Sequence, residues 1–519
     1  MHERDGPAAP PGSRPSIRKV ALGRWNRLDS IALAAVTLVG ATLRAFRLDA
    51  PSSVVFDEFF YARDGCWYVK ASRSACGLVG LMTTDREVER WLRDFGELTP
   101  EHPPLGKWLI GAGIKLFGFR PGAWRLAPAV AGTLTVAALY LLARKLLQSR
   151  PAAVLASGLL AVDFVFLVQS RLAMLEIFVA LFAVIGFLCC VYDRDRIAGR
   201  GPPHRGRRPE HRFADHRWRI AAGVAGGAAA ASKLSGWLVV VGAGLLVSSW
   251  EVGQRRGDGR GHAFRRAALE AGPSILLCLG AVPVLVYALA YAGRLDGSLL
   301  AWPWSDGSWV RALVSRQRSM LQFHGDALGR SSSAPWTLPM LVHPARYFQE
   351  EADGRVRAVL LFGNPVVWWP AFAALAWAAF AWVRRRAPLG REGSILIGFA
   401  ATYGAWILLT RGRPEVFLYY LTPAIPFLCL ALGYAASRSW GSRAGRAVAV
   451  TVVAASLVGM AFFYPVLTAT PLSPASWKAR VLFRDCGRPI TPPSATATTN
   501  TPGGSTIRSE PPSEGWCWL

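Results

Sequence analysis

Two adjacent carboxylates, Asp57 and Glu58, directly follow the first long apolar segment and are bracketed by aromatics in Phe56-Asp57-Glu58-Phe59-Phe60-Tyr61. Carboxylates near hydrocarbon are costly unless paired or solvated. A carboxylate held there can serve as general base toward an incoming hydroxyl. Neighbouring like charges also push their pKa values apart, which favours one of them as base. By residue type either acid could take that part. The competing reading is structural: an interfacial acid paired with Arg63 or an outer Lys.

A second segment is Glu101-His102-Pro103-Pro104-Leu105-Gly106-Lys107-Trp108. The double Pro fixes an extended lead into a helix that starts near Leu105 and places His102 and Lys107 at that start. Lys107 could equally snorkel, with Trp108 in the interface. Arg171 and Glu176 stand at the junction of two apolar segments. An ionisable residue there is a functional candidate by default, and Arg can grip a lipid-linked phosphate bidentately. The alternative is an Arg171–Glu176 salt bridge. Lys233, Arg411 and Arg413 either join the same anion site or are chance exceptions to the charge pattern described below.

Further along, Phe323-His324, Ser331-Ser332-Ser333-Ala334-Pro335-Trp336, His343-Pro344-Ala345-Arg346-Tyr347-Phe348 and Gly363-Asn364-Pro365 with Trp368-Trp369 mix aromatic and polar side chains. That mix suits sugar or peptide binding, and equally an interfacial belt. The acceptor- or sugar-binding candidates are His102, Glu176, Ser332, Ser333, Trp336 and Asn364. No zinc-type Cys spacing occurs in the sequence, and no metal ligand is expected.

The elements that must position these residues are membrane spans. The chain has 519 residues, 52% hydrophobic and 18% charged, with formal net charge +26. Soluble chains carry a larger charged fraction, and 21 Trp with 25 Phe exclude a disordered basic protein. A basic soluble chain would point to nucleic acid. A basic hydrophobic one points to cytoplasmic membrane loops. Apolar runs near 29–48, 123–143, 152–168, 172–192, 220–232, 236–250, 268–292, 358–383, 393–410, 416–436 and 447–467 are span candidates. That makes about eleven, each approaching the roughly 20 residues that cross a bilayer.

The basic clusters at 14–27, 194–219, 255–266 and 384–386 all fall on one side when the N-terminus is cytoplasmic. Both loops flanking 220–250 are basic, so this stretch crosses twice as two short arms. Its tip, Ser232-Lys233-Leu234-Ser235-Gly236-Trp237, then faces outward. Two long loops, 49–122 and 293–357, are the first and fourth on the outer side. Within the first, Leu105 to Phe117 is amphipathic and could lie along the interface. Residues 1–28 read as a cytoplasmic tail and 29–486 as the transmembrane domain. Residues 487–519, rich in Pro, Ser, Thr and Gly, read as a disordered outer tail. Cys66 and Cys76 are both on the outer side, where a disulfide and two free thiols are equally open.

Taken together, the segments resemble one family in order and spacing, from about Arg44 to Phe483. They are Asp57-Glu58, His102-Pro103-Pro104-Leu105-Gly106-Lys107, Trp124-Arg125-Leu126-Ala127-Pro128 through Gly132, and Arg171-Leu172-Ala173-Met174-Leu175-Glu176. They continue with Ser232-Lys233-Leu234-Ser235-Gly236, Ser332-Ser333-Ala334-Pro335-Trp336, Gly363-Asn364-Pro365 with Trp368-Trp369, and Tyr464-Pro465 through Pro471-Leu472 and Trp477. The set resembles the bacterial, actinobacterial-type protein O-mannosyltransferases of the GT-C class. Glu176 departs from that family's commoner Asp. Phe323-His324 and the polar run after it depart from its usual pattern, and the Arg-rich loop near 200–217 and the tail after Cys486 have no counterpart in it.

The resemblance implies an all-α polytopic membrane protein with the GT-C glycosyltransferase fold. It implies transfer of mannose from polyprenyl phosphate mannose to Ser or Thr of secreted proteins, with inversion, at the outer face of the cell membrane. Asp57 and Glu58 would be the catalytic acids, with Asp57 as base and Glu58 orienting the acceptor or tuning Asp57; Arg171, Lys233 and Lys107 would be the cations at the donor phosphate, Arg171 foremost. The partners implied are the lipid-linked mannose donor, Ser/Thr-containing secreted polypeptides and the membrane, with no nucleic acid and no cofactor required. The protein translocon is an open further partner. The alternative is another GT-C enzyme that sends a lipid-linked sugar to lipid or cell-wall glycan; a transporter, which would favour inverted repeats, is more distant.

Overall fold

Helix α1 (Arg27–Ala45) begins at a reciprocal cap. Asn26 Oδ1 accepts from the Leu28 and Asp29 amides, while Asp29 Oδ2 accepts from the Asn26 amide. The computed structural model describes residues 25–70, 102–199, 216–256, 260–292, 309–326, 335–341, 344–385, 390–404, 406–407 and 417–481. The expected tails, Arg-rich loop, Ser332, Ser333, His343, Arg411 and Arg413 lie wholly or mostly outside these residues.

After α1 come α2 (Glu58–Lys70), α3 (Leu105–Phe117), α4 (Pro121–Leu147), α5 (Arg150–Ala161), α6 (Phe164–Arg171) and α7 (Glu176–Gly199). The chain continues through α8 (Arg217–Ser232), α9 (Trp237–Gln254), α10 (Arg260–Glu270), α11 (Gly272–Leu289) and α12 (Trp309–Asp326). A hairpin follows, β1 (Ala345–Ala352) antiparallel to β2 (Arg355–Leu361). Then come α13 (Pro365–Arg385), α14 (Arg391–Phe399), α15 (Ile425–Ser439), α16 (Arg443–Leu467) and α17 (Pro474–Lys478).

Among the described residues, eight helices are long and apolar enough to cross a membrane, and up to nine if the bent pair α5–α6 is one span. The chain is a multi-span membrane protein. Of the expected spans, α8 has 16 residues and α14 has nine, and neither passes by length. The expected 358–383 span begins later. Residues 355–361 form β2, and the helix starts at Pro365, where Asn364 Oδ1 caps the Val366 amide at 3.1 Å. Among the described residues the fold is helical as expected, with one hairpin added.

Burial runs opposite to that of a soluble bundle. α1 exposes Leu28, Ile31 and Leu38 on its outer face, as a lipid-facing helix does, while α15 is almost wholly enclosed at the centre. Buried charges tie the helix ends. At one end, Asp29 accepts from Arg144 at 2.7 Å and Arg150 at 3.0 Å, and Arg219 bridges Asp193 to Glu251. At the other end lie α2, α3, the hairpin and the α8–α9 turn. There α2 and α3 touch backbone to backbone: a Cβ on Gly111 would come within 2.5 Å of the Gly65 carbonyl.

α5 and α6 meet at a 58° bend. Asp163 makes that bend habitable. Its Oδ1 caps the Phe166 amide at 2.9 Å, and its Oδ2 accepts from Trp368 Nε1 at 2.7 Å. The broken span is thereby pinned to α13, and α6 carries Gln169 and Arg171 toward the site end.

Candidate active site

The two neighbouring acids occupy different environments. Glu58 is fully buried, and Arg125 grips it bidentately, Nε to Oε1 and Nη2 to Oε2, both at 2.8 Å. The Val55 and Ala173 amides donate to the same carboxylate at 3.0 Å each. Arg125 spends its remaining donors on the carbonyls of Leu48, Pro51 and Ser53. Glu58 is thus the hub that joins α2, α4 and the α6–α7 junction to the segment leading out of α1. Asp57 is half-buried, and Tyr61 donates its hydroxyl to Asp57 Oδ2 at 3.3 Å.

The three expected cations also part company. Arg171 directs its guanidinium to four carbonyls at the end of α1: those of Leu43, Arg44 and Phe46 from Nη1 and that of Arg47 from Nη2, all within 3.0 Å. A helix C-terminus leaves such carbonyls without partners, and a guanidinium is well suited to cap them. It does not form the alternative Arg171–Glu176 bridge, since Glu176 pairs with Lys233 instead. Lys107 is buried and donates to Asp64 Oδ2 at 2.8 Å, with Arg63 on the opposite oxygen. It therefore locks α3 to α2.

Lys233, at the α8–α9 turn, behaves differently. It pairs with Glu176 and lies over the rings of Tyr420 at 4.6 Å and Tyr419 at 5.4 Å. The charge of Asp57 also reaches it. The expected outward tip of the short hairpin therefore brings its Lys next to the acid pair's neighbourhood.

Aromatic rings complete this neighbourhood. Tyr347 stacks on Phe56 with ring centroids 4.3 Å apart and planes 9° apart, and Tyr419 meets Phe56 edge-on at 5.8 Å. Gln169 Nε2 donates to the Tyr347 hydroxyl at 2.9 Å. Burial pushes the Tyr347 phenol well above its ordinary pKa, and the negative charges of Asp57 and Glu176 push it the same way. The ring is therefore a neutral wall beside two carboxylates.

Of the acceptor candidates, His102 sits beside Tyr61, with ring centroids 5.8 Å apart. Glu176 is the Lys233 partner. Trp336 is 65% exposed on a short 3₁₀ turn, and buried Asn364 is the cap of α13. Cys66 is disulfide-bonded, with its partner outside the described residues. Arg125, Gln169, Tyr419 and Tyr420 carry site contacts that spacing did not assign. Arg125 was legible only as part of a motif, because its partner lies 67 positions away.

The family described as dolichyl-phosphate-mannose-protein mannosyltransferase matches residues 122–293, and the C-terminal four-transmembrane region of protein-O-mannosyltransferase matches residues 310–485. The chain belongs to the protein O-mannosyltransferase family.

This protein O-mannosyltransferase family member is 28% identical to the polyprenol-phosphate-mannose–protein mannosyltransferase of Mycolicibacterium smegmatis, over 92% of this chain and 96% of that one. It is 28% identical to the protein of the same name from Mycobacterium tuberculosis, over 73% and 80%. Its fold is similar to that of the S. cerevisiae protein O-mannosyltransferase Pmt1–Pmt2 complex bound to the sugar donor. The TM-score is 0.65 at 15% identity, covering 88% of this chain and 93% of that one. The GT-C fold expected for the family is the fold of this chain.

Proposed function

We propose that the chain is a glycosyltransferase that moves mannose from polyprenyl phosphate mannose to Ser or Thr hydroxyls of secreted proteins. The reaction inverts the anomeric centre and runs at the outer face of the cell membrane, with the N-terminus cytoplasmic. The observation that carries this reading is the separation of the two acids: Glu58 is consumed by Arg125, while Asp57 is half-exposed among Phe56, Tyr347, Tyr419 and the Lys233–Glu176 pair. Family membership and the names of the actinobacterial relatives supply the donor and the acceptor class.

Asp57 takes the proton of the acceptor hydroxyl as its oxygen attacks the anomeric carbon. The bond from that carbon to the phosphate oxygen breaks, and polyprenyl phosphate leaves with the electron pair. A phosphate is a good leaving group, so no strong acid is needed, and no resident cofactor enters this reading. Lys233 is the cation read as meeting the phosphate: it lies over the Tyr419 and Tyr420 rings, where the charge of Asp57 reaches it, whereas Arg171 caps α1 carbonyls and Lys107 pairs with Asp64. Glu58 acts through its neighbours as a positioning residue, and His102 and Trp336 remain on the acceptor side.

Incubating membranes that contain the chain with radiolabelled polyprenyl phosphate mannose and a Ser/Thr-rich peptide tests the proposal. Label in the peptide is the expected result. Label in a lipid or glycan product alone, or in no product, overturns it.

A further inference from the structure

The residue before Asp57 is backbone-strained. Phe56 has φ +50°, in the left-handed region that a bulky side chain rarely occupies without compensation. It sits in a tight turn closed by the Glu58 amide donating to the Val55 carbonyl at 3.0 Å, and Asp57 is the next residue in that turn. Strain of this kind persists only where the surroundings over-determine it.

Two clamps hold the turn. One is the Arg125 grip on Glu58. The other is aromatic and arrives from a distant part of the chain. In the hairpin, Arg346 pairs with Leu360 and Phe348 with Val359, so Tyr347 between them has no partner residue. Such a bulge re-aims its side chain. Here the ring lies flat on Phe56, only 7% of Tyr347 is exposed, and its hydroxyl is held by Gln169, itself fully buried on α6. The Tyr347 ring thus covers the strained residue while being anchored at its far end.

We infer that Tyr347 is a positioning residue for Asp57: its bulge-directed ring clamps Phe56 in the left-handed turn that presents the Asp57 carboxylate. This rests on the reading of Asp57 as base. It makes the hairpin of the second long loop part of the catalytic geometry, although its strands contribute no group to the chemistry.

The test uses the full chain with radiolabelled polyprenyl phosphate mannose and a Ser/Thr-rich peptide. Tyr347→Leu removes the stack and is expected to lower kcat on the order of 10- to 100-fold, the cost of a small misplacement of a reacting group. The KM values for donor and peptide stay within about twofold, because a misaimed base acts on turnover rather than on binding. Tyr347→Phe keeps the ring and recovers most of the lost kcat. If Tyr347→Leu does not fold, Phe56→Leu removes the other ring of the stack and is read the same way. Wild-type kcat in the folded Leu variant overturns the inference, as does a loss confined to either KM, or an equal loss in Tyr347→Phe. Asp57→Asn runs in parallel. Full transfer in that variant removes the base assignment itself, whereas a dead Asp57→Asn beside a normal Tyr347→Leu removes only the inference.

Discussion

Arg125 meets Glu58 with two parallel hydrogen bonds of 2.8 Å inside the protein, and neither residue has any exposed surface. Asp57, one residue away, is half-exposed and bonded to Tyr61. The two adjacent acids therefore stand in different surroundings, one enclosed and paired with Arg125, the other partly open.

Asp57→Asn is expected to lower mannosyl transfer at least about 100-fold, the low end of what a positioned base contributes. The protein should stay folded, because the half-buried amide keeps its place beside Tyr61. Transfer to a Ser/Thr-rich peptide, normalised to folded protein by gel filtration, checks this. Near-normal transfer would refute the base assignment.

Glu58→Gln should behave quite differently. Removing the charge leaves Arg125 buried without its counter-ion, a loss of about 3–5 kcal/mol. The expected signature is a lowered melting temperature in detergent and a poor folded yield. A Glu58→Gln protein with an unchanged melting temperature and normal folded yield would refute this role.

The cations separate along the same lines. Arg171→Lys cannot reproduce four carbonyl contacts and should destabilise the docking of α1, read as a drop in melting temperature, with donor KM little changed. The double variant Lys233→Gln, Glu176→Gln replaces the ion pair by a neutral one and avoids a stranded charge. It should raise donor KM about tenfold or more, the worth of a charge-assisted hydrogen bond. If donor KM rises in Arg171→Lys and not in the double variant, the phosphate cation is Arg171.

Trp368→Phe removes the indole donor from buried Asp163 and preserves most of the packing. Leaving that carboxylate oxygen unsatisfied should cost about 1–3 kcal/mol. Thermal denaturation is the direct measurement.

Much of this protein is local and could be read directly. Spans follow from runs of apolar residues, because each must satisfy its own backbone in lipid. The α8–α9 turn with Lys233 at its tip followed from basic loops on both sides, and the helix after the double Pro starts at Leu105 as spacing implied. The ordered motifs carried the family. What the sequence could not decide is how each charge is spent. Arg171, Lys107 and Lys233 look alike as isolated cations, yet one caps the end of α1, one pairs with Asp64, and one pairs with Glu176 over the Tyr419 and Tyr420 rings. Those fates depend on partners up to 128 positions away. The same holds for Phe56 and Tyr347: only the tertiary structure lays one ring on the other, through a bulge that no periodicity announces. Local apolar patterning determines which segments enter the membrane. Burial then forces every charge inside to find a partner, and that pairing is settled only when the helices pack.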